Sequence, residues 1–227
     1  MNTLRNILLS ATAVLAASTL CTFGGQSQAP VTLVRPISPT KAPSADGYIQ
    51  RWVVLEPIPA NGVTQSAIQA AVKKEYFPNQ FTVIPKDGDK VTVNGSELTW
   101  HALDTKDYNF NLYHYSYALG KPSNNVLWWV VTVVVCPEEM HDVRLAIGSN
   151  DASVWWLNGQ EVIGLYGDRQ DTFDDAVSKR LILKKGANVI RAAVHNQQGA
   201  TDFCARLLDA QDKPITGITI NLGDTGQ

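Results

Sequence analysis

The sequence predicts an all-β protein, a jelly-roll β-sandwich with one short covering helix. Three observations carry this. Short runs rich in Val, Ile, Trp and Tyr recur about every 8–12 residues between turn formers. Two Asn-Gly pairs, Asn94-Gly95 and Asn158-Gly159, sit between such runs. They are the strongest short hairpin signal, because a type I′ turn needs φ > 0 at both central residues. Residues 126–135 are continuously apolar except for Thr132. That run is too β-branched for a soluble helix and too short for a membrane helix of about 20 residues, so it reads as a central strand buried on both faces.

The chain has 227 residues, 44% of them hydrophobic and 18% charged, enough for one domain with a sizeable core. The net charge is -2 with no basic block, which argues against a nucleic-acid partner. Residues 1–29 read as a secretory signal peptide: Arg5 supplies the positive start, residues 7–20 the apolar stretch, and Ser27-Gln28-Ala29 a small-x-small cleavage site. The protein is therefore expected to be secreted, or periplasmic or in the cell envelope, with no membrane span. Residues 30–46 carry Pro30, Pro36, Pro39 and Pro43 and are expected to form an extended, solvated linker. Residues 47–227 are expected to form the sandwich. Cys136 and Cys204 could pair in an oxidising compartment, or each could be a core residue.

In chain order, residues 48–55 read as a strand ended by Pro57 and Pro59. Residues 64–77 are the one helix expected: Thr64 can cap it, Ile68, Ala71, Val72 and Tyr76 share a face, and Pro78 ends it. Such a helix would cover an open end of the sandwich. Strands follow at 81–84, 91–93 and 98–103. Residues 104–125, polar and rich in tyrosine, read as a surface excursion. After the central run, residues 145–163 read as strand, turn, strand, two-residue turn, strand. Residues 179–183 and 188–196 read as a hairpin about Lys185-Gly186, and strands at 201–208 and 215–222 complete the chain.

Several of these segments carry a family resemblance. Trp52, Leu55, Pro57 and Pro59 resemble the W-x-x-L-G-P-F-P opening strand of secreted galactose-binding-like β-sandwich domains, and Trp100 to Asp104 the segment before their central strand. Leu145, Gly148, Ser149, Asp151, Val154, Trp156, Asn158 and Gly159 resemble their L-x-x-G-S-D-D-G-x-x-V-W-L-N-G signature. Asn150 and Ala152 stand where that signature has an acid and a glycine. Lys184 to Arg191 resembles their L-K-x-G-x-N hairpin. The likeness is to PA14-type and carbohydrate-binding modules that accompany carbohydrate-active enzymes. It implies a secreted, non-catalytic carbohydrate-binding or accessory protein, whose partner is a polysaccharide or glycan, or a carbohydrate-active enzyme. A small secreted hydrolase (an acetylxylan esterase or a glycosidase) and a structural envelope protein are the alternatives.

The residues themselves assign no catalytic site. The G-x-S-x-G elbow of α/β-hydrolases is absent, His101, His114, His141 and His195 are scattered, and there is no HExxH or paired CxxC. Asp151, Glu161, Asp171 and Asp175 read as turn and surface acids, although sequence spacing cannot exclude a glycosidase pair. Asp168, Asp171, Asp174 and Asp175 share one loop that could take Ca²⁺, but their spacing is not the EF-hand pattern, so no cofactor and no metal site is assigned. Alternation places one of each pair Trp128-Trp129 and Trp155-Trp156 on each sheet face. The expected glycan contact is a surface of Trp156, Tyr166 and Asp171, an aromatic platform beside hydroxyl-binding groups.

Overall fold

The structure is a computed structural model that describes residues 32–62, 64–167 and 173–222. The first half of the chain forms Thr40–Lys41 (β1), Arg51–Leu55 (β2), Ile58–Pro59 (β3), Gln65–Lys73 (α1), Lys90–Val93 (β4), Ser96–Asp104 (β5), Asn109–Asn111 (β6) and Leu112–Ala118 (α2). The second half forms Val126–Cys136 (β7), Met140–Ser149 (β8), Ala152–Leu157 (β9), Gln160–Leu165 (β10) and Ala176–Val177 (β11). Leu181–Leu183 (β12), Gly186–Asn196 (β13), Asp202–Leu208 (β14) and Thr219–Asn221 (β15) complete it.

Two antiparallel sheets result, as the all-β reading expects. Among the described residues, the larger has ten strands, with the path β10-β9-β13-β7-β2-β5-β4 and β1, β3 and β15 attached beside it. The smaller has five, β11-β8-β14-β6 with β12 on β8. The apolar run is the middle of the larger sheet. One edge of β7 pairs along its whole length with β13, from Gly186↔Cys136 to Asn196↔Val126. Its other edge is shared by β2, β3 and β15 in turn.

Alternation along these strands fills two separate cores. Trp128, Val130, Trp155, Ile190 and Val194 point between the sheets, against Leu145, Ile147 and Phe203 of the smaller one. There Trp52, Trp155 and Phe203 meet edge to face, with centroids 5.0–6.1 Å apart. Trp129, Val131, Val154, Trp156 and Ala193 point the other way, into a second core under α1 and the segment that follows it. The helix therefore lies on the outer face of the larger sheet rather than over an open end. Thr64 caps it, its Oγ accepting from the Ala67 N–H at 3.2 Å, and Ile68 and Val72 are its buried residues. It stops at Lys73 because Gln80, itself buried, folds the chain back: its amide accepts from Tyr76 N–H and donates to the Lys74 carbonyl, both at 2.8 Å.

Four expectations need correction. Residues 81–84 are not a strand; Phe81 is packed edge-on against Trp129 and Trp156 as part of the outer layer. Residues 181–196 are not a hairpin, since β12 pairs with β8 while β13 pairs with β7 and β9, so the turn at Gly186 crosses between sheets. The proline-rich stretch is extended but docked from Thr32 onward: β1 pairs with β15, Val34 bridges Asp104, and the Ser38 carbonyl accepts from Arg51. Cys136 and Cys204 are buried and not bonded to each other. Cys136 faces Gly186 at the end of β7, four residues before β8 opens at Met140, whereas Cys204 faces Gly148, eight residues along β8 from Met140. At about 3.3 Å per residue that is about 26 Å, far beyond the reach of a disulfide. The signal peptide lies outside the described residues.

Both Asn-Gly turns have the left-handed backbone expected: Asn94 and Gly95 at φ 49° and 81°, Asn158 and Gly159 at 50° and 83°. Asn158 also anchors its turn, accepting from Val189 N–H and donating to Asn188 Oδ1, both at 2.9 Å. The double variant Asn158→Ala, Gly159→Ala combines a left-handed Cβ penalty at both positions with the loss of these bonds. It should destabilise the protein by about 3 kcal/mol in denaturant unfolding. An unchanged midpoint would contradict the turn's role.

Candidate functional site

The expected platform is not assembled. Trp156 is 7% exposed, stacked on Trp129 at 5.4 Å and covered by Phe81 at 5.7 Å, so it serves the outer core and cannot receive a sugar ring. Tyr166 is half-buried against the same core, with Lys73 Nζ 5.7 Å above its ring and its hydroxyl lying over Gly164. Lys73 is itself held by Glu161 at 3.0 Å, and that contact, with Tyr166, raises its pKa. Asp171 lies outside the described residues. Of the remaining acids in its loop, Asp174 is held bidentately by Arg206.

The stretch with the signature resemblance is a structural clasp. The Asn150 side chain accepts from Asp202 N–H at 3.2 Å, and its own N–H donates to the Asp202 carbonyl. Asp151, at φ 45°, accepts from Gln197 N–H at 2.7 Å through Oδ2. These bonds tie the β8–β9 turn to the end of β13 and the start of β14. Burial raises the pKa of Asp202, and the amide of Asn109 at 2.6 Å partly offsets that. Among the described residues, no three His, Cys, Asp or Glu side chains stand close enough together to hold a metal ion.

The tyrosine-rich segment read as a surface excursion instead contains α2. Its buried residues, Leu112, Tyr115 and Ser116, plug the gap between the sheets: Tyr115 hydroxyl donates to the Val54 carbonyl at 3.1 Å, and Trp128 Nε1 to Ser116 Oγ at 3.1 Å. Burial holds the Tyr115 hydroxyl well above its ordinary pKa. Asn111 caps the helix, accepting from His114 N–H at 2.7 Å. Gly120, at φ 63°, closes it, with Lys121 N–H reaching back to the Ser116 carbonyl. The signals were present in the sequence: a capping Asn, apolar or small residues at 112, 115, 116 and 119, and a glycine after the end. Their aromatic, β-prone neighbours obscured them.

The opposite face of α2 is open. Tyr113 is 37% and Tyr117 49% exposed, and a spacing of four puts them on one face. His114 lies between them in sequence, its ring 6.0 Å from that of Tyr113. Beside the helix is a cleft of about 230 Å³ lined by Leu33, Lys106, Asp107, Phe110, Asn111 and His114. Its loop is braced from behind. Arg51 grips Asp104 bidentately at 2.8 and 3.0 Å, and the Gln50 amide donates to the carbonyls of Lys106 and Asp107 at 2.9 and 3.0 Å. The side chains of Lys106 and Asp107 remain exposed. A fixed backbone carrying exposed polar side chains, on a cleft shared with the helix that presents two tyrosine rings, is suited to a ligand with an apolar face and hydroxyl edges.

This arrangement separates stability from surface. Trp156→Ala should cost about 3–5 kcal/mol of folding free energy, whereas Tyr113→Ala with Tyr117→Ala should stay within about 1 kcal/mol. Thermal melts of the two variants check both, and a Trp156→Ala protein as stable as the wild type would contradict the assignment.

No protein-family model matches the chain, and no curated protein matches it in sequence. Among solved structures it is similar to a PA14 sugar-binding domain from an RTX adhesin, at 12% identity and TM-score 0.36, covering 43% of this chain and 54% of that one. It is similar to the PA14 domain of the MpAFP antifreeze protein, at 15% identity and TM-score 0.44, covering 76% of this chain and 92% of that one. It is also similar to the epithelial adhesin 9 A domain from Candida glabrata in complex with Galb1-3GlcNAc, at 12% identity and TM-score 0.38, covering 86% of this chain and 99% of that one.

Proposed function

We propose that the protein is a secreted, non-catalytic carbohydrate-binding β-sandwich that holds a glycan against the open face of α2. The observation that carries this reading is the exposed pair Tyr113 and Tyr117, one helical turn apart on the helix whose cap Asn111 and whose His114 line a braced polar cleft. All six tryptophans are buried, Trp156 at 7% exposure being the least so, so an exposed ring platform falls to other aromatics, and Tyr113 and Tyr117 are a pair of these on one helix face. Sugar rings present a face of C–H groups that stacks on an aromatic ring by dispersion and desolvation, while Asn111, His114, Lys106 and Asp107 supply donors and acceptors for hydroxyls. The sequence resemblance to carbohydrate-binding modules supports the same class, and the apolar N-terminal stretch supports export. Asp171 and the residues around it stay candidates for a further contact.

The test is affinity electrophoresis of the exported protein in gels containing soluble neutral polysaccharides, with an esterase and glycosidase substrate panel in parallel. The expected result is retardation by at least one polysaccharide and no turnover. Tyr113→Ala with Tyr117→Ala should weaken retardation at least about tenfold, equivalent to about 1.4 kcal/mol, while melting is preserved. Retardation unaffected by the double variant would move the site elsewhere. Turnover of any substrate would overturn the non-catalytic reading.

A further inference from the structure

A second surface, away from α2, has a different chemistry. Arg191 projects from the outer face of β13, in register with Trp156 on one side and Val131 on the other. It is 3% exposed. Its guanidinium donates to the carbonyls of Gln80 and Val83, so it pins the outer segment over the sheet. Neither acceptor is charged. The contrast with two other arginines is direct: Arg51 is held bidentately by Asp104 and Arg206 by Asp174. Burial pulls the pKa of Arg191 down to about 10, and among the described residues no carboxylate pairs with it. A buried charge without a counter-ion is costly and leaves a positive field at the nearest opening.

That opening is a cleft of about 270 Å³ lined by Phe81, Thr82, Asn158, Lys184 and Arg191. On the other side of the Asn158-Gly159 turn lies a cleft of about 430 Å³ lined by Asn158, Gln160, Arg180, Ile182 and Lys184. Asn158 and Lys184 line both, so the two form one groove that crosses the turn. The groove is fixed from beneath by the buried Asn188. Its Oδ1 accepts from Asn158 Nδ2 and Lys184 N–H, each at 2.9 Å, and its Nδ2 donates to the Lys184 carbonyl at 2.8 Å. Lys184 is exposed, and among the described residues it forms no ion pair. Among the described residues no acid lines either cleft, and Glu161 and Asp212 are engaged elsewhere, Glu161 by Lys73 at 3.0 Å and Asp212 by Arg180 at 3.0 Å and Arg144 at 3.6 Å.

We propose that this groove binds an acidic polysaccharide, one whose sugar rings carry carboxylate or sulfate groups, with Lys184 the direct contact and Arg191 supplying the field beneath. Length favours a polymer over a small anion, because two clefts in line offer room for successive rings. Amides and a hydroxyl at Asn158, Gln160 and Thr82 suit sugar hydroxyls between the charges. Nucleic acid is disfavoured, since a duplex partner calls for about 6–10 cationic contacts and the chain carries a net charge of -2.

The test compares the full chain in gels containing polygalacturonate, a sulfated glycosaminoglycan or a neutral galactan, with duplex DNA as a fourth arm. Retardation is expected in one or both acidic gels and is expected to be weaker in the neutral gel. Which acidic gel retards identifies carboxylate or sulfate as the recognised group. Raising NaCl from about 0.02 M to about 0.5 M should abolish the effect. Lys184→Glu should weaken it at least about tenfold with the melting temperature unchanged, and Lys184→Arg should restore it. The Tyr113→Ala, Tyr117→Ala protein should be retarded like the wild type in the acidic gels, which separates this groove from the α2 surface. Equal retardation of the Tyr113→Ala, Tyr117→Ala protein by neutral and acidic gels, none in any acidic gel, insensitivity to Lys184→Glu, loss of acidic-gel retardation in the tyrosine variant, or stronger binding to DNA would each overturn the proposal.

Discussion

The structure depends on burying both faces of one sheet. β7 and β13 run side by side for eleven residues, and alternation forces every second side chain out of the space between the sheets. In an ordinary sandwich those outward residues would be polar. Here they are Trp129, Val131, Val154 and Trp156, and leaving them wet would forfeit the benefit of burying them, about 1.5–3 kcal/mol for each large side chain. α1 and residues 74–89 exist as a third layer because of this. Thr64 starts that layer, Gln80 turns it, Phe77 and Phe81 fill it, and Arg191 fastens it.

The constraint also decides where function can reside. Tryptophan is the usual sugar platform, yet every tryptophan of this chain serves one core or the other. The surface chemistry passes to residues that the cores do not need. α2 must plug the gap between the sheets with Leu112, Tyr115 and Ser116, and its other side is left to present Tyr113 and Tyr117. Similarly, Arg191 must fasten the outer layer, and its charge reaches a groove as a consequence.

Much of the fold was legible in the sequence because local chemistry dictates it. Asn94-Gly95 and Asn158-Gly159, each set between β-prone runs, favour tight turns of one hand, and Thr64 with the Ile68, Val72 face favours a helix of that phase. Residues 126–135 announced double burial. What was not legible is what lies against what. Trp155 and Trp156 alternate in any strand, and nothing local says whether an outward tryptophan meets water or a third layer. The same blindness left open whether Cys136 and Cys204 pair, and made a hairpin of β12 and β13, although their turn crosses between sheets. The candidate site suffered most, since α2 hid among aromatic residues whose strand preference outweighed its caps.

The central claim is that all six tryptophans are interior and that ligand contact belongs to tyrosine and charged side chains. Iodide quenching of tryptophan fluorescence, with and without a bound polysaccharide, tests it directly. The account predicts blue-shifted emission that iodide barely quenches and that ligand does not further protect. A red-shifted, readily quenched component that the ligand shields would contradict it, because it would place a tryptophan at the binding surface.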